Sequence, residues 1–261
     1  SAHPGTNFRL NLQMIADWLE DRNWKYYVYR PGELPALTRC LLYHGQQTLH
    51  KDILYVVPEG TEDDFPADQF SYITTTALRG EMPHIRGVKC SFPELVNYAM
   101  EIFSHYGAFE RELSNTISSG GSLSDLCCVA SRFFRNPIYI HDNMFCVIGH
   151  SSGLDGMFEF SEKTKKTHIP LWLINEYKFD EAYRNTFSVH QADIWRNDLN
   201  DSNVRSLYVN LWDGSTYLGR LLIVETESAI RPGQFRSAEF FAGYVLLWIK
   251  KQALSNQQIH H

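Results

Sequence analysis

The sequence predicts a mixed α/β (α+β) chain: a small N-terminal α/β unit, a connecting helix, and a second unit with an antiparallel sheet flanked by helices. Three observations point there. Strand-like apolar runs alternate with Pro- and Gly-rich loops over residues 1–90. A capping box at Ser91 and Glu94 opens a seven-residue apolar repeat. The turn dipeptides Asp142-Asn143 and Asp213-Gly214 each separate two strand-like runs, the signature of antiparallel hairpins.

Composition narrows the function classes. The chain has 261 residues, 44% hydrophobic and 21% charged, which fits a folded globular protein rather than a disordered one. Its net charge is −6 and no basic run stands out, so this chain is not expected to grip nucleic acid itself. Five cysteines with no CxxC spacing argue against a disulfide framework or a zinc knuckle. The scattered histidines suggest no metal site either. The N-terminus lacks a signal-peptide pattern, and the longest apolar run, residues 240–249, is about half a membrane span. A cytoplasmic location without a membrane partner is expected. Aromatics are plentiful, with 16 Phe, 14 Tyr and 6 Trp, enough for a core and for a flat-ligand pocket.

The elements follow in order. Leu12, Ile15 and Leu19 have helical spacing, which predicts a helix over 10–20. Strands are expected at 25–29, 37–43, 53–57, 72–75 and 85–89. Then Phe92, Ala99, Tyr106 and Leu113 recur every seven residues, with Leu95, Ile102 and Phe109 between them. This stripe predicts a connector helix, and its four lead residues are the candidate contact with a second copy of the chain. The helix ends at Ser118-Ser119-Gly120-Gly121, so residues 91–121 form the connector and hinge.

Residues 122–261 form the second unit. Ser122 and Asp125 cap a helix over 123–133, which Asn136-Pro137 breaks. Strand runs at 138–141 and 144–150 make the first hairpin, and 206–212 with 217–224 make the second. Between them, 156–167 reads as loop, 171–183 as helical or irregular, and 186–191 as a short strand. A last helix over 232–254 is apolar nearly all round and must be largely buried.

Strand alternation then separates two faces. Leu207, Val209 and Leu211 make one aliphatic; Ser206, Tyr208, Asn210 and Trp212 make the other aromatic and polar. An aromatic face with a few orienting groups suits a small-molecule cavity, and the long segment 151–203 is placed to cover it. The candidate ligand-binding residues are His150, Trp172, Tyr177, His190, Trp195, Tyr208, Asn210 and Trp212.

The string Asn136-Pro137-Ile138-Tyr139-Ile140-His141-Asp142-Asn143-Met144-Phe145-Cys146-Val147-Ile148-Gly149-His150-Ser151 resembles the strand pair that opens the GAF-like domain of bacterial PucR-type transcription regulators. The later hairpin, 210–224, and the closing helix, 232–254, resemble that family too, so the likeness covers residues 92–254. The resemblance implies a ligand-responsive, oligomeric regulator; a homodimer that senses a small organic effector, with no cofactor, is expected. It also implies a helix-turn-helix for DNA. None is legible here, so DNA is expected to be reached only through a part outside this chain.

One motif suggests an enzyme instead. Gly149-His150-Ser151-Ser152-Gly153 matches G-x-S-x-G, in which Ser151 would be the nucleophile of a serine hydrolase. The context opposes it. The following residues read as loop rather than helix, and the surrounding strands as antiparallel hairpins. No catalytic residue is therefore assigned.

Overall fold

The computed structural model of the chain describes residues 9–19, 25–29, 34–76, 80–88, 90–196 and 203–259. They form a mixed α/β fold in two compact units, Ser1–Glu110 and Arg111–His261. The expected boundaries lay at either end of the connector, after 90 and after 121. The division falls inside the connector helix because each end of that helix packs into a different unit.

In the first unit, helix α1 (Leu12–Leu19) precedes β1 (Lys25–Tyr29), β2 (Arg39–Leu42), β3 (Ile53–Val57), β4 (Tyr72–Thr74) and β5 (His84–Val88). The sheet order is β1-β5-β4-β3-β2. Strands β2 to β5 pair in parallel, and β1 joins the β5 edge antiparallel. All five residues of β3 are buried, as an interior parallel strand requires. Tyr43, Tyr55, Phe65 and Tyr72 fill one core cluster.

Helix α2 (Phe92–Ser118) starts at the expected capping box, in which Ser91 and Glu94 exchange hydrogen bonds. Its N-terminal part serves the first unit: Tyr98 Oη donates to the Ile15 carbonyl at 2.7 Å, and Trp18 Nε1 donates to Tyr106 Oη at 3.3 Å. The apolar stripe is consumed inside the chain. Ala99, Tyr106 and Leu113 are buried and Phe92 is partly buried, so these side chains do not face outward for a second copy. A seven-residue repeat marks one helix face; it does not say whether a partner chain or the chain's own core covers it.

The second unit opens with α3 (Leu123–Phe134), whose capping box joins Ser122 and Asp125 through bonds of 3.1 and 2.8 Å. Then come β6 (Ile138–Asp142), β7 (Val147–His150), β8 (Glu159–Ser161), β9 (Lys166–His168), α4 (Leu171–Phe179), α5 (Glu181–Asn185) and a 3-10 turn at Thr186–Ser188. The chain continues through β10 (Asp193–Arg196), β11 (Arg205–Asp213), β12 (Thr216–Val224) and α6 (Gln234–Ile259). The main sheet is antiparallel throughout, in the order β10-β11-β12-β6-β7.

Several local expectations shift. The first hairpin turns later than Asp142-Asn143. Asp142 Oδ1 accepts from the Met144 and Cys146 N–H groups at 2.9 Å each, and Phe145 takes the left-handed conformation at φ 60°. The stretch 156–167 holds most of the β8–β9 ribbon, and 186–191 opens with a 3-10 turn at Thr186–Ser188 and forms no strand. Strand β10 was not expected.

The helices α3 and α6 pack on the sheet: α3 against β6 and β7, α6 against β11, and each against the other. Leu207, Val209 and Leu211 are buried, as are Ala238, Phe241, Ala242 and Val245 of α6. The end of α6 is less buried than expected, with Leu247 and Leu254 exposed at 53% and 62%. The alternate sheet face carries Tyr139, Tyr208, Leu222 and Val224, which form a second core cluster with Leu154 and Ile169 of the covering segment.

Candidate functional site

The central strands lay out a small grid. Pairing sets Arg220 of β12 opposite His141 of β6 on one side and Asn210 of β11 on the other. Two residues along, Leu222 stands opposite Tyr139 and Tyr208. Side chains two apart share a face, so all six point to the covered side of the sheet.

Between this grid and the covering segment lies a cavity of about 400 Å³. Tyr139, His141, Ser206, Arg220, Leu222 and Val224 line it from the sheet. Ile169, Trp172, Leu173, Tyr177, Tyr183 and Trp195 are among the residues closing it from the rest of the unit. Tyr177 and Tyr183 stack with centroids 4.0 Å apart, and Trp195 meets both rings edge-on. A largely apolar wall with a few convergent polar groups is the composition of a small-molecule site.

Arg220 is the polar centre and is 1% exposed. Its Nε donates to Asn210 Oδ1 at 2.8 Å and its Nη2 to Thr186 Oγ1 at 2.7 Å. Phe187, Tyr208 and Tyr183 flank the guanidinium, with centroids at 4.2, 4.6 and 5.4 Å. Asn210 is itself anchored, since its Nδ2 donates to the Thr186 and Val189 carbonyls at 2.7 and 2.9 Å. The 3-10 turn thus ties the cover to the sheet through Asn210 and Arg220.

His141 is buried to the same degree. Burial, helped by the nearby Arg220 charge, pushes its pKa down to about 4. Its Nδ1 lies 2.8 Å from the Asp142 carbonyl, an acceptor, so the neutral ring carries its proton on Nδ1. The Nε2 lone pair then has no partner among the described residues. Burial also raises the phenol pKa values of Tyr139 and Tyr183, so both rings stay neutral.

No family model matches the chain, and no curated protein matches it. A solved structure does resemble it. That structure is the cofactor-binding GAF domain of the nutrient sensor CodY from Clostridium difficile. The likeness covers 58% of this chain and 99% of that one, at 16% identity and a TM-score of 0.38.

Of the residues singled out from sequence, Trp172, Tyr177 and Trp195 line the cavity. Tyr208 and Asn210 lie behind the wall, flanking and anchoring Arg220. His150 is exposed, with Nδ1 2.7 Å from the Ser151 carbonyl, and is not part of the lining. His190 and Trp212 stack on each other at 4.7 Å, also outside the lining. The sequence reading missed Arg220 and His141. A signal existed: in Tyr-Leu-Gly-Arg-Leu-Leu-Ile-Val the arginine is the one charge in an apolar strand.

The Gly-His-Ser-Ser-Gly motif has a structural explanation. Ser151 is buried; its Oγ accepts from the Ile138 N–H at 2.9 Å and donates to the Ser152 carbonyl at 3.0 Å. A Cβ on Gly149 would come within 2.9 Å of Leu123 Cγ, and Gly153 has φ +85°. The pattern records close strand–helix packing and a left-handed turn. Among the described residues, no group of His, Cys, Asp and Glu is placed to hold a metal. None of their helices is long and apolar enough to cross a membrane.

Proposed function

We propose that residues 111–261 form a GAF-like effector-binding domain and that the chain is the sensing part of a PucR-like transcription regulator. The cavity over β6, β11 and β12 carries this reading, because it combines an apolar wall with a pre-positioned charge and an open acceptor. The antiparallel sheet, with α3 and α6 packed on it, supports the same reading. Occupancy biases the covering segment, which Asn210 and Arg220 tie to the sheet. A ligand shifts only the arrangement that it binds unequally.

The output is a change in helix arrangement within a homodimer, read by a DNA-binding helix-turn-helix outside residues 1–261. Since the α2 stripe is buried, α6 is the better dimer helix: its exposed Leu247 and Leu254 stand seven residues apart. Sedimentation checks this. Wild type runs as a dimer and Leu254→Glu as a monomer; an unchanged mass removes α6 from the interface.

Binding, rather than hydrolysis, is the proposed role. A fluorophosphonate probe leaves Ser151 unlabelled, because the hydroxyl is held between two backbone groups. Labelling that disappears in Ser151→Ala revives the hydrolase reading. For binding itself, small aromatic compounds raise the melting temperature of the chain and quench Trp172 and Trp195 in the cavity wall.

A further inference from the structure

The cavity wall has one strong asymmetry. Arg220 is a buried cation whose hydrogen bonds go to the neutral side chains of Asn210 and Thr186, with the Tyr217 phenol also beside it. Among the described residues no carboxylate forms an ion pair with it. A buried charge held only by dipoles and rings lacks the counter-ion that usually accompanies it. The protein nevertheless holds the guanidinium rigid and at the cavity wall, where an incoming anion meets it with little ordering left to do.

The neighbouring group has the opposite character. His141, opposite Arg220 in the register, also lines the cavity and carries an unprotonated Nε2 with no partner among the described residues. A ligand therefore meets a cationic donor and a neutral acceptor on adjacent strands about 5 Å apart. Arg220 is also the one Lys or Arg among the lining residues, and a single positive charge matches a single negative one better than a phosphate dianion. Apart from Glu159, Ser206 and Thr226, the rest of the wall is mainly ring and aliphatic surface, including Tyr177, Trp195 and Leu222.

We propose that the effector is a small monocarboxylic acid: its carboxylate binds Arg220, a hydroxyl or N–H near that carboxylate donates to His141 Nε2, and an aromatic or branched apolar body fills the remaining cavity. This rests on the reading of the cavity as an effector site. It adds a ligand class, and a reason for a buried arginine in an otherwise apolar strand.

Three matched probes test it on the full chain: mandelate, phenylacetate without the hydroxyl, and mandelamide without the charge. Melting shifts and quenching of the cavity tryptophans give the affinities. Mandelate binds tightest, phenylacetate about 5-fold weaker for one lost hydrogen bond, and mandelamide at least about 10-fold weaker for the lost charge. In Arg220→Met the acid loses its advantage and binds no better than the amide. If that variant fails to fold, the acid-against-amide comparison on wild type decides alone. Equal or tighter binding of mandelamide to wild type, or undiminished binding of mandelate to folded Arg220→Met, overturns the carboxylate assignment while leaving an effector site. No response to any of the three, nor to benzoate, indole-3-acetate and their amides, removes the effector reading and this proposal together.

Discussion

Arg220, Asn210 and His141 divide the work of the site between charge, positioning and polarity. Asn210 uses both of its Nδ2 donors and its Oδ1 acceptor, so the guanidinium it holds has little freedom. His141 has a measurable consequence for stability. Its pKa is about 4 when folded, against an ordinary value near 6.5. Between those values the unfolded chain binds a proton that the folded chain does not, so stability is full above pH 6.5 and falls as the pH drops toward 4. The shift corresponds to about 3 kcal/mol. His84 in the first unit, also lowered by burial, acts in the same direction. Urea midpoints at pH 7.5 and 4.5 check this. Wild type loses more stability than His141→Gln over that interval, and equal losses contradict the buried neutral state.

At the scale of elements, β12 depends on a glycine. A Cβ on Gly219 would stand 2.1 Å from the His141 carbonyl oxygen, which is backbone and has no room to move aside. Gly219→Ala therefore destabilises the second unit by about 2 kcal/mol or more and disturbs the row that holds His141 and Arg220. The cap of α3 is a milder lever, because Ser122→Ala removes one half of a two-bond box. Chemical denaturation of that variant shows a loss of about 1 kcal/mol. The same elements show what was legible in advance. Strands such as β1 and β3 and both capping boxes stood out, since local periodicity and cap chemistry determine them. Strand β10 did not: Asp193–Arg196 pairs with a register only β11 supplies, and no local pattern encodes that. The Asp142 turn was misplaced because its side chain bonds to backbone N–H groups two and four residues on, lengthening the loop.

For the whole molecule, the covering segment matters most. The sequence placed aromatic residues in it, and Trp172, Tyr177 and Trp195 do face the cavity. The lone charge of Arg220 in an apolar strand was legible, but not its neighbours: only the strand pairing brings a neutral Asn and His beside it. Exposed histidines such as His150 and His190 look the same in sequence as buried ones, and burial is a tertiary property. The sensing role requires that the space over β6, β11 and β12 take up a small molecule. The direct measurement is thermal unfolding of the full chain against a panel of small aromatic acids and their neutral analogues, in wild type and in Leu222→Trp. The larger ring takes up cavity space from the sheet side, and Leu222 is not one of Arg220's hydrogen-bond partners. Wild type is stabilised, and the stabilisation disappears in the filled variant. Equal stabilisation of both, or of neither, contradicts the sensing role.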